Sequence, residues 1–270
     1  MKRILHKIFE TCGYQITPKS RDPILKELLL VYRQLKTSSS SFDRQNQLTK
    51  VASLAHLRAL LQRYQIQTVI DVGANIGQFG MSLRNLGFRG KILSFEPMKQ
   101  AREKLKKVSD KSPPWKVFAE ALGSRQEEKI LQIFKDDSFS SLYPITESGK
   151  KTFGSYVQTE GAQVVKIETL DLLLKKEIST EQGAILLKTD TQGHDLEVLK
   201  GGGELLKRAN VVMTEASAEV IYEGAPFFAE VLKYLEKNGF EPSGFYPISN
   251  RLDTLAMIEF DAFFVRKSGS

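Results

Sequence analysis

Apolar residues follow two spacings along most of the chain. From residue 66 onward, short apolar runs alternate with longer stretches whose apolar residues recur every three or four positions. The first pattern is typical of buried strands and the second of helices. Strands are predicted at 68–72, 91–96, 115–120, 184–190, 210–215, 239–245 and 261–266, and helices at about 77–87, 99–108, 195–207 and 227–238. Strands separated by helices of this length predict an α/β fold, with a mostly parallel sheet covered by helices on both faces.

Two regions depart from this alternation. Between residues 128 and 170, EKILQIF and QVVKIETL predict two additional strands, and LDLLLKK predicts a short helix. Residues 1–65 instead have helical spacing over 23–35 and 48–63, with a polar loop, TSSSSFDRQ, between them. We therefore predict a helical N-terminal extension over 1–65 and an α/β domain over 66–270.

The N-terminal extension is basic, with twelve Lys/Arg and four Asp/Glu, whereas the net charge of the whole chain is +7. In MKRILHKIF, residues 1–9, apolar and basic side chains fall on opposite faces of a short helix. We expect this segment to pack on its own domain, with weak contact to a membrane surface as the alternative. No apolar run approaches the roughly 20 residues that span a bilayer. Without a signal peptide, and with Cys12 as the single cysteine, the chain is expected to be cytoplasmic.

The loop after the first predicted strand is DVGANIGQFG, residues 71–80. A dinucleotide fingerprint would have glycine at 73, 75 and 78, where this chain has Gly73, Asn75 and Gln78. What remains is a tight turn and a helix N-terminus near Gly77, whose free N–H groups favour a carboxylate or a phosphate. Because Asp71 would repel a second phosphate, the loop favours a phosphate-free nucleoside over a dinucleotide.

Acidic residues follow the next two predicted strands. Glu96 lies in SFEP, 25 residues beyond Asp71, at a position suited to accept hydrogen bonds from a ribose diol. Glu120 begins EALG, whose small apolar surface could carry adenine with Glu120 near the exocyclic amine. An ordinary loop explains the second stretch equally well.

The predicted strand AILLKTD places two polar residues at its carboxyl end. Lys188 and Asp190 are two residues apart and therefore share a face of the strand, and Asp190 is the leading candidate to orient or deprotonate an acceptor hydroxyl. His194 follows, and with an unperturbed pKa of about 6.5 it could act as a general base, unless it is a solvent-facing cap. Glu215 ends the next strand and is expected to face the same cleft, with a surface acid as the alternative.

A metal ion is not predicted. Asp190, Asp195 and Glu215 could supply the oxygen ligands that Mg²⁺ prefers, but no tight carboxylate cluster and no His/Cys spacing indicates a metal site.

Taken in order, DVGANIGQFG, SFEP, EALGS, DDSFSSL, VVKIETLDLLL and LLKTDTQGHDLEVLKGG resemble the FkbM-type methyltransferases. These are S-adenosylmethionine-dependent enzymes of the Rossmann-like class I methyltransferase fold, and the resemblance covers roughly 68–215. It implies S-adenosylmethionine as the cofactor, which the phosphate-free loop also favours. The cofactor-binding residues that it implies are Asp71, Gly73, Ala74, Asn75, Gly77, Gln78, Phe79, Glu96, Pro97, Glu120, Ala121, Leu122 and Asp190.

The acceptor implied by the resemblance is a small molecule that receives the methyl group on a hydroxyl, such as a sugar or a glycosylated intermediate. Ser140 and Ser141 match the family's serine pair on a loop over the site, although a polar hairpin tip is nearly as good an interpretation. Lys188 and Gln192 complete the predicted acceptor-binding set. Many relatives have an acid before the glycine where this chain has Gln192, so one carboxylate of the usual pattern is missing.

Three other functions are compatible with parts of the sequence. An NAD-dependent oxidoreductase would share the fold, and so would an inactive interaction module. The inactive module is disfavoured because Asp71 and Glu96 are not needed for packing. A nucleic-acid methyltransferase is not expected, because SPPW at 112–115 precedes the third strand instead of following the fourth.

Overall fold

A computed structural model describes residues 22–25, 28, 41–175, 177 and 183–268, except for the side chains of 41–45. The predicted membrane-binding segment 1–9 and Cys12 lie outside these residues. Of the predicted helix 23–35, residues 23–25 and 28 are described, and they are helical. Among the residues that the structure describes, no helix is both long and apolar enough to cross a bilayer.

The described residues form ten strands: β1 Ile66–Val72, β2 Lys91–Phe95, β3 Trp115–Phe118, β4 Ala121–Leu122, β5 Glu127–Phe134, β6 Thr159–Glu168, β7 Ala184–Thr189, β8 Ala209–Ser217, β9 Phe240–Asn250 and β10 Met257–Arg266. Seven of them make one sheet in the order β3-β2-β1-β7-β8-β10-β9. β10 is antiparallel to both of its neighbours, and the other neighbouring pairs are parallel.

The helices of the described part of the chain are α1 Ser41–Arg63, α2 Gln78–Asn85, α3 Lys99–Ser109, α4 Glu147–Phe153, α5 Leu170–Leu174, α6 Asp195–Lys200, α7 Gly203–Arg208 and α8 Phe228–Lys237. Two buried clusters cover the sheet. One includes Val69 and Leu186 together with α1, and the other includes Ile70 and Leu187 together with α8. Neighbouring residues of one strand point to opposite faces, so helices cover both faces. The predicted α/β class with a mostly parallel sheet is confirmed.

The N-terminal helix begins earlier than its sequence suggests. Residues 41–45 belong to α1, so the predicted loop TSSSSFDRQ is wrong over these residues. Serine favours turns when nothing else holds the backbone, but α1 packs along the sheet, and tertiary packing overrides such local preferences. Leu57, Leu60 and Leu61 of α1 are buried in the same cluster as Phe263 of β10. The domain boundary after residue 65 stays a prediction. The helix before this boundary and the sheet after it share one buried core.

A second, three-stranded sheet has the order β4-β6-β5 and contains both strands predicted between 128 and 170. Its apolar side packs Leu131, Val165 and Ile167 against Met98 and Ala101 at the start of α3. The chain leaves the large sheet after Phe118 to reach it, so the predicted strand 115–120 is two residues too long. The small sheet therefore lies beside the carboxyl ends of β1 and β2, where a ligand is expected.

Candidate active site

A cavity of about 820 Å³ lies at the carboxyl edge of the large sheet. Its floor is formed by the residues that follow β1, β2 and β7 and by Met213 and Glu215 within β8, and one side is closed by the segment Asp137–Ser140. The opposite side is formed by α1 and by the ends of β9 and β10. This is the edge at which open α/β sheets bind their ligands.

The loops after β1 and β7 touch each other through their backbones. The Asp190 amide donates to the Val72 carbonyl oxygen at 3.1 Å. Gly73 has φ +74°, and a Cβ atom there would lie 1.8 Å from the carbonyl oxygen of Asp190. Only glycine fits both constraints. Gly73 thus brings the predicted cofactor loop directly against the predicted catalytic aspartate.

Glu96 ties the loop after β1 to the start of α3. Its two carboxylate oxygens accept hydrogen bonds of 2.8 Å from the backbone amides of Asn75 and Met98. The side chain is almost fully buried at the cavity wall. Burial raises the pKa of Glu96 to about 7, although the two amide donors act in the opposite direction. Each oxygen keeps a second lone pair, so the carboxylate can still accept a bond from a ribose hydroxyl.

The cavity residues fit a nucleoside that carries an amino acid better than they fit a dinucleotide. Glu96, Glu120 and Asp137 line its cofactor end. The side-chain Oδ1 of Asn75 is buried there without a partner among the described residues. The cations among the described lining residues are Lys50 and Lys188. A pyrophosphate would meet acids in this region, whereas ribose hydroxyls and an ammonium group would find acceptors.

Most predicted cofactor-binding residues line the cavity: Gly73, Ala74, Asn75, Gln78, Phe79, Glu96, Pro97, Glu120, Ala121, Leu122 and Asp190. Asp71 and Gly77 do not line it. Gly77 has φ +94°, and a Cβ atom there would lie 2.9 Å from Leu105, beside Trp115. Glycine is thus needed at 77 where α2 packs on α3 and β3, and its cofactor-binding role stays a prediction.

Asp71 and Lys188 form an ion pair beneath the loop. Asp71 is fully buried, its Oδ1 lies 3.1 Å from Lys188 Nζ, and Ser94 donates to its Oδ2 at 3.2 Å. The expectation that the Asp71 carboxylate is not needed for packing is therefore wrong. The Asp71 carboxylate would carry an uncompensated charge in this buried position without Lys188.

Lys188 also contacts other groups inside the protein. Besides Asp71, its ammonium donates to the Gly73 carbonyl oxygen at 3.1 Å and lies 3.3 Å from Asp190 Oδ2. Burial alone would lower its pKa, but the Asp190 and Asp71 carboxylates outweigh burial and raise it. Three oxygens, from Asp71, Asp190 and Gly73, therefore surround the ammonium. Lys188 holds the loops after β1 and β7 together while it lines the cavity, and its acceptor-binding role stays a prediction.

Gln192 joins the two candidate catalytic carboxylates. Its Nε2 donates to Asp190 Oδ1 at 3.2 Å and to Glu215 Oε2 at 2.8 Å, and its Oε1 accepts from the Tyr222 hydroxyl at 2.7 Å. A glutamate at 192 would offer no such donors and would repel both acids. Burial raises the pKa of Glu215 well above its ordinary value, and Asp190 is the nearby carboxylate that contributes most to the rise. The amide therefore keeps two acids together at the wall of the cavity.

His194 is buried, so the solvent-facing alternative is wrong. It caps α6 and lines the cavity beside Gly123, where a Cβ atom would lie 3.0 Å from His194 Nε2. Its ring packs at 5.3 Å from that of Tyr143. Burial lowers the pKa of His194 to about 4. An imidazole with so low a pKa is a weak base, so its predicted catalytic role gains no support.

The serine pair divides into two roles. Ser140 lines the cavity, as predicted for an acceptor-binding residue. Ser141 is fully buried, and its hydroxyl donates to the Gln192 carbonyl oxygen at 2.6 Å, so it anchors the loop instead. Among the described residues, no three His, Cys, Asp or Glu side chains are arranged to hold a metal ion.

Sequence reasoning missed one wall of the cavity, formed by Asn46, Thr49, Lys50 and Ser53 of α1, Tyr246 of β9, and Glu259 and Asp261 of β10. The sequence does contain a pattern that points to the two β10 acids. They are two residues apart in an otherwise apolar strand, EFDAFF, and therefore point to the same face. No such pattern points to the α1 residues, because only packing brings that helix to the site.

This sheet order, with the glycine loop after β1, the acid after β2, Asp190 after β7 and Glu215 near the end of β8, defines a Rossmann-like class I methyltransferase. The model of the FkbM methyltransferase domain matches residues 71–242. The chain belongs to the FkbM methyltransferase family, and S-adenosylmethionine is its methyl donor.

One curated relative is the hexuronic acid methyltransferase AglP of Haloferax volcanii, which is 29% identical over 170 residues. The match covers 61% of this chain and 62% of that relative, less than two thirds of its length. Among solved structures, magnesium protoporphyrin IX methyltransferase from Synechocystis PCC 6803 aligns over 98% of this chain and 97% of its own, with 11% identity and a TM-score of 0.44. An rRNA methylase from Streptococcus thermophilus aligns over 79% and 95%, with 12% identity and a TM-score of 0.41.

Proposed function

We propose that this methyltransferase transfers the methyl group to a hydroxyl oxygen of a sugar or a sugar-bearing biosynthetic intermediate. The observation that carries the proposal is the pair of carboxylates, Asp190 and Glu215, bridged by Gln192 at the cavity wall next to the loop 73–75. A hydroxyl acceptor needs a group that orients it and a group that takes its proton. The relative that acts on a hexuronic acid supports the sugar.

In this mechanism the side chains around the cavity bind the cofactor, orient the acceptor hydroxyl and remove its proton. S-adenosylmethionine, when bound, supplies a methyl group on a positively charged sulfur, which makes the methyl carbon electrophilic. Gly73, Asn75 and Glu96 would hold the amino acid and ribose portions, and Ala121 and Leu122 would lie against adenine.

On the acceptor side, Asp190 accepts the hydrogen bond of the acceptor hydroxyl and points the oxygen lone pair at the methyl carbon. Lys188 fixes Asp190 in place through the ion pair. Asp190 takes that proton as the oxygen–carbon bond forms, and Glu215 holds Gln192 in position against Asp190. Positioning supplies most of the acceleration.

The proposal is tested with Asp190→Asn and Glu215→Gln on a panel of methyl glycosides, with S-adenosylhomocysteine release and a methyl mass increase as readouts. We expect each variant to bind S-adenosylhomocysteine within about threefold of wild type. Asp190→Asn should lose about a hundredfold or more in turnover, the usual size of general acid–base contributions, and Glu215→Gln, which acts through Gln192, should lose less. Wild-type protein that binds S-adenosylhomocysteine but methylates no glycoside would overturn the sugar acceptor. Full turnover in both variants would overturn the assigned roles.

A further inference from the structure

One face of the large sheet changes from apolar to acidic toward the cavity. In the middle of the sheet this face carries Val69, Leu186, Val211 and Phe263, all buried. Toward the carboxyl edge of the parallel strands this face carries Asp71 and Lys188, and then Glu215 beyond Met213. The register pairs Asp71 with Lys188 and Glu215 with Asp261. The residues that line the cavity on this face are Lys188, Asp190, Met213, Glu215, Glu259 and Asp261.

Three of these carboxyl groups have few internal hydrogen-bond donors. Glu215 receives one bond, from Gln192, and Glu259, which is 5% exposed, receives one from Ser249 at 3.1 Å. Asp261 receives none from any side chain or amide in the described part of the chain. Burial raises the pKa values of Glu259 and Asp261 to about 7. These oxygens therefore face the cavity with lone pairs that only a ligand or water can satisfy.

The opposite wall, on α1, combines a polar and largely uncharged row of side chains with Leu54 and Leu57. Asn46, Thr49, Lys50 and Ser53 are three or four positions apart on α1 and so share one helix face, and all four line the cavity. Lys50 is exposed and is the one cation on this wall among the described residues. Amide and hydroxyl side chains can both donate to and accept from hydroxyl groups.

We propose that the acceptor bound between α1 and β10 is an uncharged, hydroxyl-rich sugar unit and not a uronic acid, an inference that rests on the proposed sugar methylation. Hydroxyl groups supply the donors that Glu215, Glu259 and Asp261 lack. A uronate would bring another carboxylate against Glu259 and Asp261, which are charged above their pKa of about 7, and like charges in a partly buried site repel each other. Specificity of this kind comes as much from repulsion of the wrong ligand as from contacts to the right one.

The test compares matched ligands that differ only at carbon 6. Methyl glycosides of glucose, galactose and mannose are titrated into protein saturated with S-adenosylhomocysteine, beside the methyl glycosides of the corresponding uronic acids. The same compounds are then assayed for methyl transfer. We expect the best neutral glycoside to bind and react at least tenfold better than its uronic acid partner.

The double variant Glu259→Gln/Asp261→Asn removes two of the acids while keeping their size. We expect it to lower the neutral-to-uronic ratio about tenfold, mainly through better binding of the uronic acids. Glu241→Gln is the matched control, because Glu241 is an exposed acid on β9 outside the cavity, and it should leave the ratio unchanged. Thermal unfolding and S-adenosylhomocysteine affinity establish that the variants are folded.

The outcomes separate the two proposals. Uronic acids that bind or react as well as the neutral partners would overturn the uncharged acceptor and leave sugar methylation standing. A ratio unchanged in the double variant would overturn the role of the β10 carboxyls and with it this inference. Methyl transfer to no sugar at all, with S-adenosylhomocysteine binding intact, would overturn both.

Discussion

At the residue scale, the site depends on charged groups that the protein itself neutralises. Lys188 is enclosed by Asp71, Asp190 and the Gly73 carbonyl, so a single side chain fixes both loops of the methyl-transfer site. Glu96 similarly uses both carboxylate oxygens to hold backbone amides while it lines the cavity. Residues of this kind affect folding and binding together, and substitutions with matched controls separate the two effects.

Lys188→Met is expected to destabilise the fold by about 3 to 5 kcal/mol, because it leaves the Asp71 carboxylate buried without its partner. Urea unfolding measures the free energy of unfolding. Lys116→Met is the control, since Lys116 pairs with Glu177 but is 59% exposed, and such surface pairs contribute less than about 1 kcal/mol. Adding Asp71→Asn to Lys188→Met should recover part of the loss. A loss no larger than that of the control would contradict the structural role of Lys188.

Glu96→Ala is expected to weaken S-adenosylhomocysteine binding by about tenfold or more, because it removes a charged hydrogen-bond acceptor for the ribose and frees the loop at Asn75. Isothermal titration calorimetry gives the affinity. Glu103→Ala, an exposed acid on α3, is the control and should bind as wild type does. Unchanged affinity in Glu96→Ala would remove Glu96 from the cofactor site.

At the element scale, the sequence predicts the bounds of helices and loops correctly where the local apolar pattern is strong. It predicts them less well where a contact with a distant part of the chain sets the bounds. The predicted helix 195–207 is two helices, α6 and α7, interrupted at Gly201. A Cβ atom on Gly201 would lie 1.9 Å from the Gly123 carbonyl oxygen, so this turn is set by the close approach of another chain segment. The start of α1 at Ser41 also differs from the sequence prediction, which places residues 41–45 in a loop.

Leu57→Ala tests whether α1 is part of the cooperative fold. Leu57 is 2% exposed and packs in the core under the sheet, so we expect a loss of about 2 to 5 kcal/mol in the free energy of unfolding. Leu48→Ala on the same helix is the control, since Leu48 is 50% exposed and its substitution should cost less than about 0.5 kcal/mol. Equal and small effects would mean that α1 unfolds separately from the sheet.

At the scale of the whole molecule, the cavity concentrates carboxyl groups whose pKa values are raised by burial, including Glu96, Glu259 and Asp261 at about 7. A carboxyl with a raised pKa binds its proton more tightly in the folded than in the unfolded state. Between the unfolded pKa of about 4 and the folded value of about 7, the folded state then holds more protons. The stabilisation that these carboxyl groups contribute is therefore fully present below about pH 4 and is lost as the pH rises through about 7.

Glu259→Gln should reduce this pH dependence. At pH 8 we expect the variant to be more stable than wild type by about 1 to 3 kcal/mol, because the buried charge is gone, and at pH 4.5 we expect little difference. Thermal or urea unfolding between pH 4.5 and 8 measures the effect, with Glu241→Gln as the exposed-acid control. A difference between variant and wild type that is independent of pH would contradict a raised pKa at Glu259.

The sequence by itself determined the order of strands and helices, the glycine loop at 73, the acid at 96 and the carboxylates at 190 and 215. Each of these follows from local apolar spacing or from the residue that comes directly after a strand, which the rules of open α/β sheets place at one edge. Only the tertiary structure decided which distant residues these side chains and elements contact. Lys188 meets Gly73 across 115 residues of sequence. Likewise, α1 reaches Glu259 and Asp261 across the cavity because packing on the sheet brings it there. Such contacts depend on how elements stack, and no short stretch of sequence encodes that.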